Sequence, residues 1–265
     1  MDFKGKAKPL DDIDLPRIGA QISVGEDVLH MVLDVESNGD GFDSKGRPTM
    51  LFEPHIFYRE LSGAQRDEAV KQGIAYRKWK PGHYPRDSYP RLHKAMRINK
   101  AAALRSCSWG AYQVMGFNHK LAGYSTVMNM VTAIMADAEN HLKAAVNFIV
   151  STGLDDELRV LDALDRPATQ EDTIPFVLGY NGKGFRKNKY HIKAAKALNK
   201  WRGIKDTPYH AKPLVLPIDL PDHAPEEEKP APKSKSAPIA IGIGGVVVAV
   251  SLFFDKIRAF IEGLF

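Results

Sequence analysis

The stretch SVGEDVLHMVLDVESNGDGFDSKGRPTMLFE, residues 23–53, changes its periodicity halfway. In the first half Val24, Val28, Met31, Val32 and Val35 share one face at helical spacing, and Ser23-x-x-Glu26 has the form of a capping box. The pattern predicts a helix that ends at Glu36 or Ser37. Asn38, Gly39 and Gly41 then break it, and residues 41–53 read as a small β-hairpin with its turn at Ser44 to Pro48. Outward from this stretch the apolar spacing stays helical. Helices are expected at Pro54 to Leu61, Leu92 to Arg105, Ser125 to Ile149, Asp155 to Leu164 and Lys189 to Trp201. The fold class is therefore mainly α with one small β element.

The chain has 265 residues, 44% of them hydrophobic and 26% charged, which suits one packed domain with appendages rather than a disordered or fibrous chain. Residues 207–237 carry many prolines and a mixed charge run, the composition of an extended linker. The expected organisation is an N-terminal extension (1–19), a main domain (20–205), a proline-rich linker (206–237) and a C-terminal hydrophobic helix with an amphipathic tail (238–265). Residues 238–254 carry no charge, and that length is near the lower limit for a transmembrane helix. In DKIRAFIEGLF, residues 255–265, Ile257, Phe260, Ile261 and Leu264 line one helical face suited to a bacterial membrane interface. The N-terminus lacks the apolar run of a secretory signal, so synthesis in the cytoplasm is expected.

Cys107 is the single cysteine, which excludes an intramolecular disulfide and a multi-cysteine zinc site. The histidines show no compact ligand spacing, so neither metal nor cofactor is expected. A net charge of +5 favours anionic partners, whether nucleic acid, lipid headgroups or a cell envelope. Two segments concentrate that charge. Residues 76–105 hold nine Lys or Arg against one acid, interleaved with Tyr76, Trp79, Tyr84 and Tyr89, and residues 181–205 hold nine with no acid. Taken alone, such segments could track a nucleic-acid backbone while the aromatics stack on bases.

Glu36 falls at the C-terminal end of the predicted helix, where the negative end of the helix dipole and partial burial both raise a carboxyl pKa, as a general acid requires. Two further segments belong with it: SCSWGAYQVMGFNHKLAGY, residues 106–124, and LGYNGKGFRKNKYH, residues 178–191. The order Glu-Ser, then Ser-Trp-Gly-x-x-Gln-x-Met-Gly, then Tyr-Asn-Gly resembles the phage and bacterial N-acetylmuramidase endolysins. It is more distantly similar to the lysozyme-like lytic transglycosylases.

This resemblance, over about residues 20–202, implies a lysozyme-like helical fold that cleaves peptidoglycan glycan strands as a monomer in the periplasm or cell wall. It assigns Glu36 as the general acid and places Ser37 beside it. Trp109, Gln113 and Met115 become cleft-wall candidates, and Tyr180 and Asn181 would meet the sugar and the acid. Where the family pattern after the hairpin has Phe-Glu-Arg-His, this chain has Phe52-Glu53-Pro54-His55, so the arginine is missing and Glu53 remains. A muramidase that uses water needs a second carboxylate or an equivalent group. Glu53 is the candidate, with Asp40 and Asp43 behind it. A lytic transglycosylase needs one acid only, since the sugar's own 6-hydroxyl attacks. That enzyme and a basic nucleic-acid-binding protein are the alternative readings; the latter leaves the three glycan-cleavage segments without a role.

Overall fold

A computed structural model describes residues 1–37, 41–80 and 84–209. Its helices in chain order are α1 (Asp14–Gly19), α2 (Glu26–Ser37), α3 (Pro54–Glu60), α4 (Gly63–Lys71), α5 (Tyr89–Ile98), α6 (Lys100–Arg105), α7 (Val127–Ala136), α8 (Ala138–Ser151), α9 (Asp155–Asp162), α10 (Gln170–Asn181) and α11 (Tyr190–Trp201). The strands are β1 (Met50–Phe52), β2 (Cys107–Trp109) and β3 (Val114–Met115). They form one antiparallel sheet in the order β1-β2-β3.

The helix α2 buries Val28, Leu29, Met31 and Val32, as its spacing predicts. Its start is different from the expected one. Ser23 sits in the left-handed region at φ 58° and closes a short 3₁₀ turn, so it cannot cap α2, whose first residue is Glu26. The other end of α2 is held by α11. There His30 stacks on Trp201 at 3.6 Å, and the Trp201 Nε1–H and Lys200 Nζ both donate to Asp34 Oδ2.

The β element also departs from expectation. The turn forms where predicted: Asp43 accepts from the backbone N–H of Lys45 and Arg47, and Phe42 bridges Pro48. Yet β1 pairs with β2, more than fifty residues away in the chain, with Phe52 opposite Cys107. The local hairpin of the sheet is β2-β3, inside residues 107–115. Two expected long helices are each divided. Asn99 and Asp137 adopt extended backbone, and their side chains accept from Ala102 N–H and Asn140 N–H, so each ends one helix and caps the next. The helices α4 and α10 were not expected.

Residues 1–19, set apart as an extension, contribute to the same core. Phe3 is wholly buried among Tyr89, His93 and Trp109, with ring centroids 5.2 to 5.7 Å away. Lys8 lies parallel to Asp137, its carbonyl accepting from Ala138 N–H at 2.8 Å. Among the described residues no helix is long and apolar enough to cross a membrane. The linker and hydrophobic helix expected at 206–265 fall almost wholly outside those residues.

Candidate active site

Glu36 is carried by the last turn of α2 and Asn181 is the last residue of α10. The Asn181 Nδ2–H donates to Glu36 Oε1 at 2.5 Å. Although Glu36 keeps part of its surface exposed, its carboxyl is enclosed by protein, and that burial pushes it up to about 7. The Asn181 hydrogen bond and the positive charge of Lys193 act the other way without cancelling it. The Glu36 charge is felt in turn by the Tyr180 and Tyr190 hydroxyls, which burial and that charge hold above their ordinary range. Asn181 Oδ1 is buried and has no hydrogen-bond partner among the described residues.

Tyr180 does not present its hydroxyl to a sugar. It donates to the Tyr112 carbonyl at 3.0 Å, while its ring stacks on Phe176 and meets the edge of Phe148. Its effect on the site is indirect: it ties the β2-β3 turn to α10 one residue before Asn181. Two other residues expected to line the cleft from this segment, Trp109 and Gln113, are engaged by the protein itself. Trp109 is 1% exposed, packs against Phe3 and donates its Nε1–H to the Leu104 carbonyl, so it is a core residue and not a sugar platform. Gln113, at φ 49°, accepts from Ser108 Oγ and donates to the Gly110 carbonyl, which engages both ends of its amide inside the turn. Met115 is half-buried at the end of β3, and Ser37 is the last residue of α2.

His141 was missed by sequence reasoning, and it fixes this turn. Its Nδ1 accepts from Ala111 N–H at 3.1 Å, which leaves Nε2–H to donate to the Ile134 carbonyl at 2.7 Å. A Cβ on Gly110, already at φ 73°, would lie 2.8 Å from the imidazole, and the Phe42 ring packs 4.8 Å from it. One buried neutral ring thus holds the β2-β3 turn, the end of α7 and the segment after Glu36. Burial lowers its pKa to about 4, against the Ile134 hydrogen bond and Asp137. The only available sign in the sequence is its position on the buried face of α8.

Glu53 occupies a different electrostatic neighbourhood. It stands at the N-terminal boundary of α3 without a side-chain capping bond, and its Oε2 accepts from the Tyr84 hydroxyl at 2.6 Å and lies 3.2 Å from His55 Nδ1. Its charge is felt by Tyr76, Tyr84 and Cys107, none of which responds to Glu36. Asp43 is committed to its turn. Burial pushes it up, but the Arg47 side chain and the backbone amides of Lys45 and Arg47 outweigh that and leave it below its ordinary value. Asp40 lies outside the described residues. Among the described residues no group of His, Cys, Asp and Glu is placed to hold a metal ion.

The geometry can be set beside known proteins. The family model of N-acetylmuramidase matches residues 26–202, from the first residue of α2 to just past α11. The crystal structure of the Burkholderia AP3 phage endolysin is similar at 34% identity and a TM-score of 0.63, covering 74% of this chain and 73% of that one. No curated protein matches the chain.

Proposed function

The chain belongs to the N-acetylmuramidase family and is a peptidoglycan hydrolase, and from that premise we propose that Glu36 is the general acid that cleaves the β-1,4 bond between N-acetylmuramic acid and N-acetylglucosamine. The observation that carries the reading is the enclosed Glu36 carboxyl, raised to about 7 and held by Asn181. At neutral pH a large share of it is protonated, so it can give its proton to the glycosidic oxygen as the bond to the anomeric carbon breaks. The departing proton leaves a carboxylate. Asn181 Nδ2–H then donates to a charged acceptor, a stronger hydrogen bond than the one before transfer. The interaction thus grows as the reaction proceeds. The role in host lysis follows the endolysin likeness.

Glu53 is the second carboxylate of this reading, taking the proton of the water that attacks the oxocarbenium-like centre. One observation favours the rival transglycosylase: the groups acting on Glu36 are an amide and a lysine, with no carboxylate among them. Mass spectrometry of muropeptides released from purified sacculi separates the two. Hydrolysis gives reducing N-acetylmuramic acid ends, whereas a dominant anhydro product would move the chain to the transglycosylase class. The hydrophobic stretch 238–254 and the tail beyond it are assigned to contact with a bacterial membrane, which fits their uncharged and amphipathic sequence. The basic segments serve attraction to an anionic envelope in this reading.

A further inference from the structure

The chain has three tryptophans, and only one is free to meet a ligand. Trp109 is in the core, and Trp201 is stacked on His30 with its Nε1–H on Asp34. Trp79 is 48% exposed. A single exposed aromatic ring is ordinary on a protein surface, and what sets Trp79 apart is where its neighbours come from. Two neighbours define that position. The Lys187 Nζ lies 5.0 Å from the Trp79 ring centroid, and Lys187 belongs to the short segment that leaves α10 directly after Asn181. The Trp79 side chain also acts on the Tyr84 hydroxyl, which donates to Glu53. Trp79 therefore joins the segment leading from the Glu36–Asn181 pair to the Glu53 neighbourhood.

The geometry points to Trp79 as a stacking platform for a sugar ring of the glycan strand, with Lys187 beside it as the donor for an anionic substituent on that ring. This rests on the muramidase reading and names a binding residue for it. The indole face carries partial negative charge, and the C–H bonds on one face of a pyranose present partial positive charge to it. The Lys187 ammonium lies over one face of the indole, so the sugar is assigned to the opposite face, and the cation is in reach of a carboxylate on the lactyl group or stem peptide, which a chitin strand lacks. The basic and aromatic segment 76–105, otherwise suggestive of nucleic acid, thereby acquires a glycan role through Trp79.

Fluorescence of the full chain carrying Glu36→Gln, which blocks turnover, reads the contact directly. Titration with soluble oligosaccharides of alternating N-acetylglucosamine and N-acetylmuramic acid is expected to change tryptophan emission saturably, and the change is expected to vanish when Trp79→Phe is added. In the active chain Trp79→Ala is expected to lower kcat/KM about tenfold, the equivalent of about 1.4 kcal/mol, carried by KM, with Trp79→Phe recovering most of it. Lys187→Ala is expected to weaken binding of the muramic-acid oligomer and leave chitin oligomers unaffected. An unchanged KM in a folded Trp79→Ala protein, or an emission change that survives Trp79→Phe, overturns the platform. Since binding is read in a chain without turnover, these results stand apart from whether Glu36 is the acid.

Discussion

Asn181 Nδ2 lies 2.5 Å from Glu36 Oε1, so the last residue of α10 holds the acid in the last turn of α2 across 145 positions of sequence. Two helix C-termini converge on one carboxyl. Each contributes the negative end of its dipole, which adds to burial in favouring the protonated acid. Asn181 supplies a neutral donor there that can follow the proton's departure without competing for it. The Tyr180 hydroxyl and the His141 ring hold the β2-β3 turn on either side, so the alignment depends on three elements distant in the chain.

Glu36→Gln keeps the shape and lets Asn181 donate to the new amide oxygen. Lysis of purified peptidoglycan is expected to fall about 10²- to 10⁴-fold, read in a turbidity assay. Stability is expected to move the opposite way. The folded pKa of about 7 exceeds the ordinary 4.5, so this group weakens the fold as pH rises between those values and the penalty persists above them. Denaturant unfolding at pH 8 should show the variant more stable by on the order of 2 kcal/mol, with no gain at pH 4. Full activity in the folded variant would remove Glu36 from the mechanism.

Asn181→Ala removes the donor that pulls the Glu36 pKa down. The alkaline limb of the kcat/KM profile, which reports the acid of the free enzyme, is expected to move to higher pH. Loss of alignment is expected to lower kcat by about 10- to 100-fold. A limb that stays in place would show that the amide does not act on Glu36.

His141→Phe keeps a ring but leaves Ala111 N–H and the Ile134 carbonyl without partners. Chemical denaturation is expected to show a loss of about 2–4 kcal/mol. The pH dependence has a definite sign. With a folded pKa of about 4 below the ordinary 6.5, the unfolded chain binds the proton first, so stability is lost as pH falls from about 6.5 to 4. Over most of that range Glu36 contributes the opposite slope. Urea midpoints of the two variants across pH 4 to 7 should separate them, and a His141→Phe protein with the parent's acid sensitivity would end this account.

Helix identity was readable wherever one face repeats without interruption, as in α2, α3 and α11. What escaped was decided by local polar chemistry or distant pairing. Asn99 and Asp137 lie within helical apolar patterns, yet each side chain bonds the backbone ahead and ends the helix, an option that periodicity does not register. Pro175 masked α10, although Thr169 and Asp172 form a capping box at its start. The partner of β1 comes from β2, which turn signals near residues 44–48 do not encode. At the site, Asn181 donates to Glu36 across 145 positions, a contact that neither periodicity nor spacing encodes. Gln113 bonds inside the turn and Trp109 packs in the core, and residue type alone does not distinguish a buried tryptophan from one that stacks on sugar.

Glu53→Gln tests the second carboxylate. If Glu53 takes a proton from water, kcat is expected to fall about 10²- to 10⁴-fold. Tyr84→Phe, which deletes the 2.6 Å hydrogen bond, should cause a smaller loss. The Glu53 side chain also ties Tyr84 and His55 together, so thermal melting of both variants must accompany the kinetics. Retained turnover with a lowered melting point would leave Glu53 a structural residue.

The last prediction concerns where the catalytic unit ends. Thr207 N–H donates to Glu26 Oε1 at 2.5 Å, at the first residue of α2, so cutting after Lys205 would strip a contact from the helix that carries Glu36. A chain ending at Tyr209 retains it. That chain is expected to cleave isolated peptidoglycan as the full chain does and to lose co-sedimentation with vesicles of anionic phospholipid. Two sources of membrane affinity compete in the full chain: the uncharged stretch 238–254 with its amphipathic tail, and the basic surface of the domain. They differ in salt response, because apolar insertion survives ionic strength that screens exposed charges. Sedimentation of the full chain that persists in high salt and disappears on truncation supports the tail. Equal binding by the shortened chain would assign the affinity to the basic surface and remove the membrane role of residues 238–265.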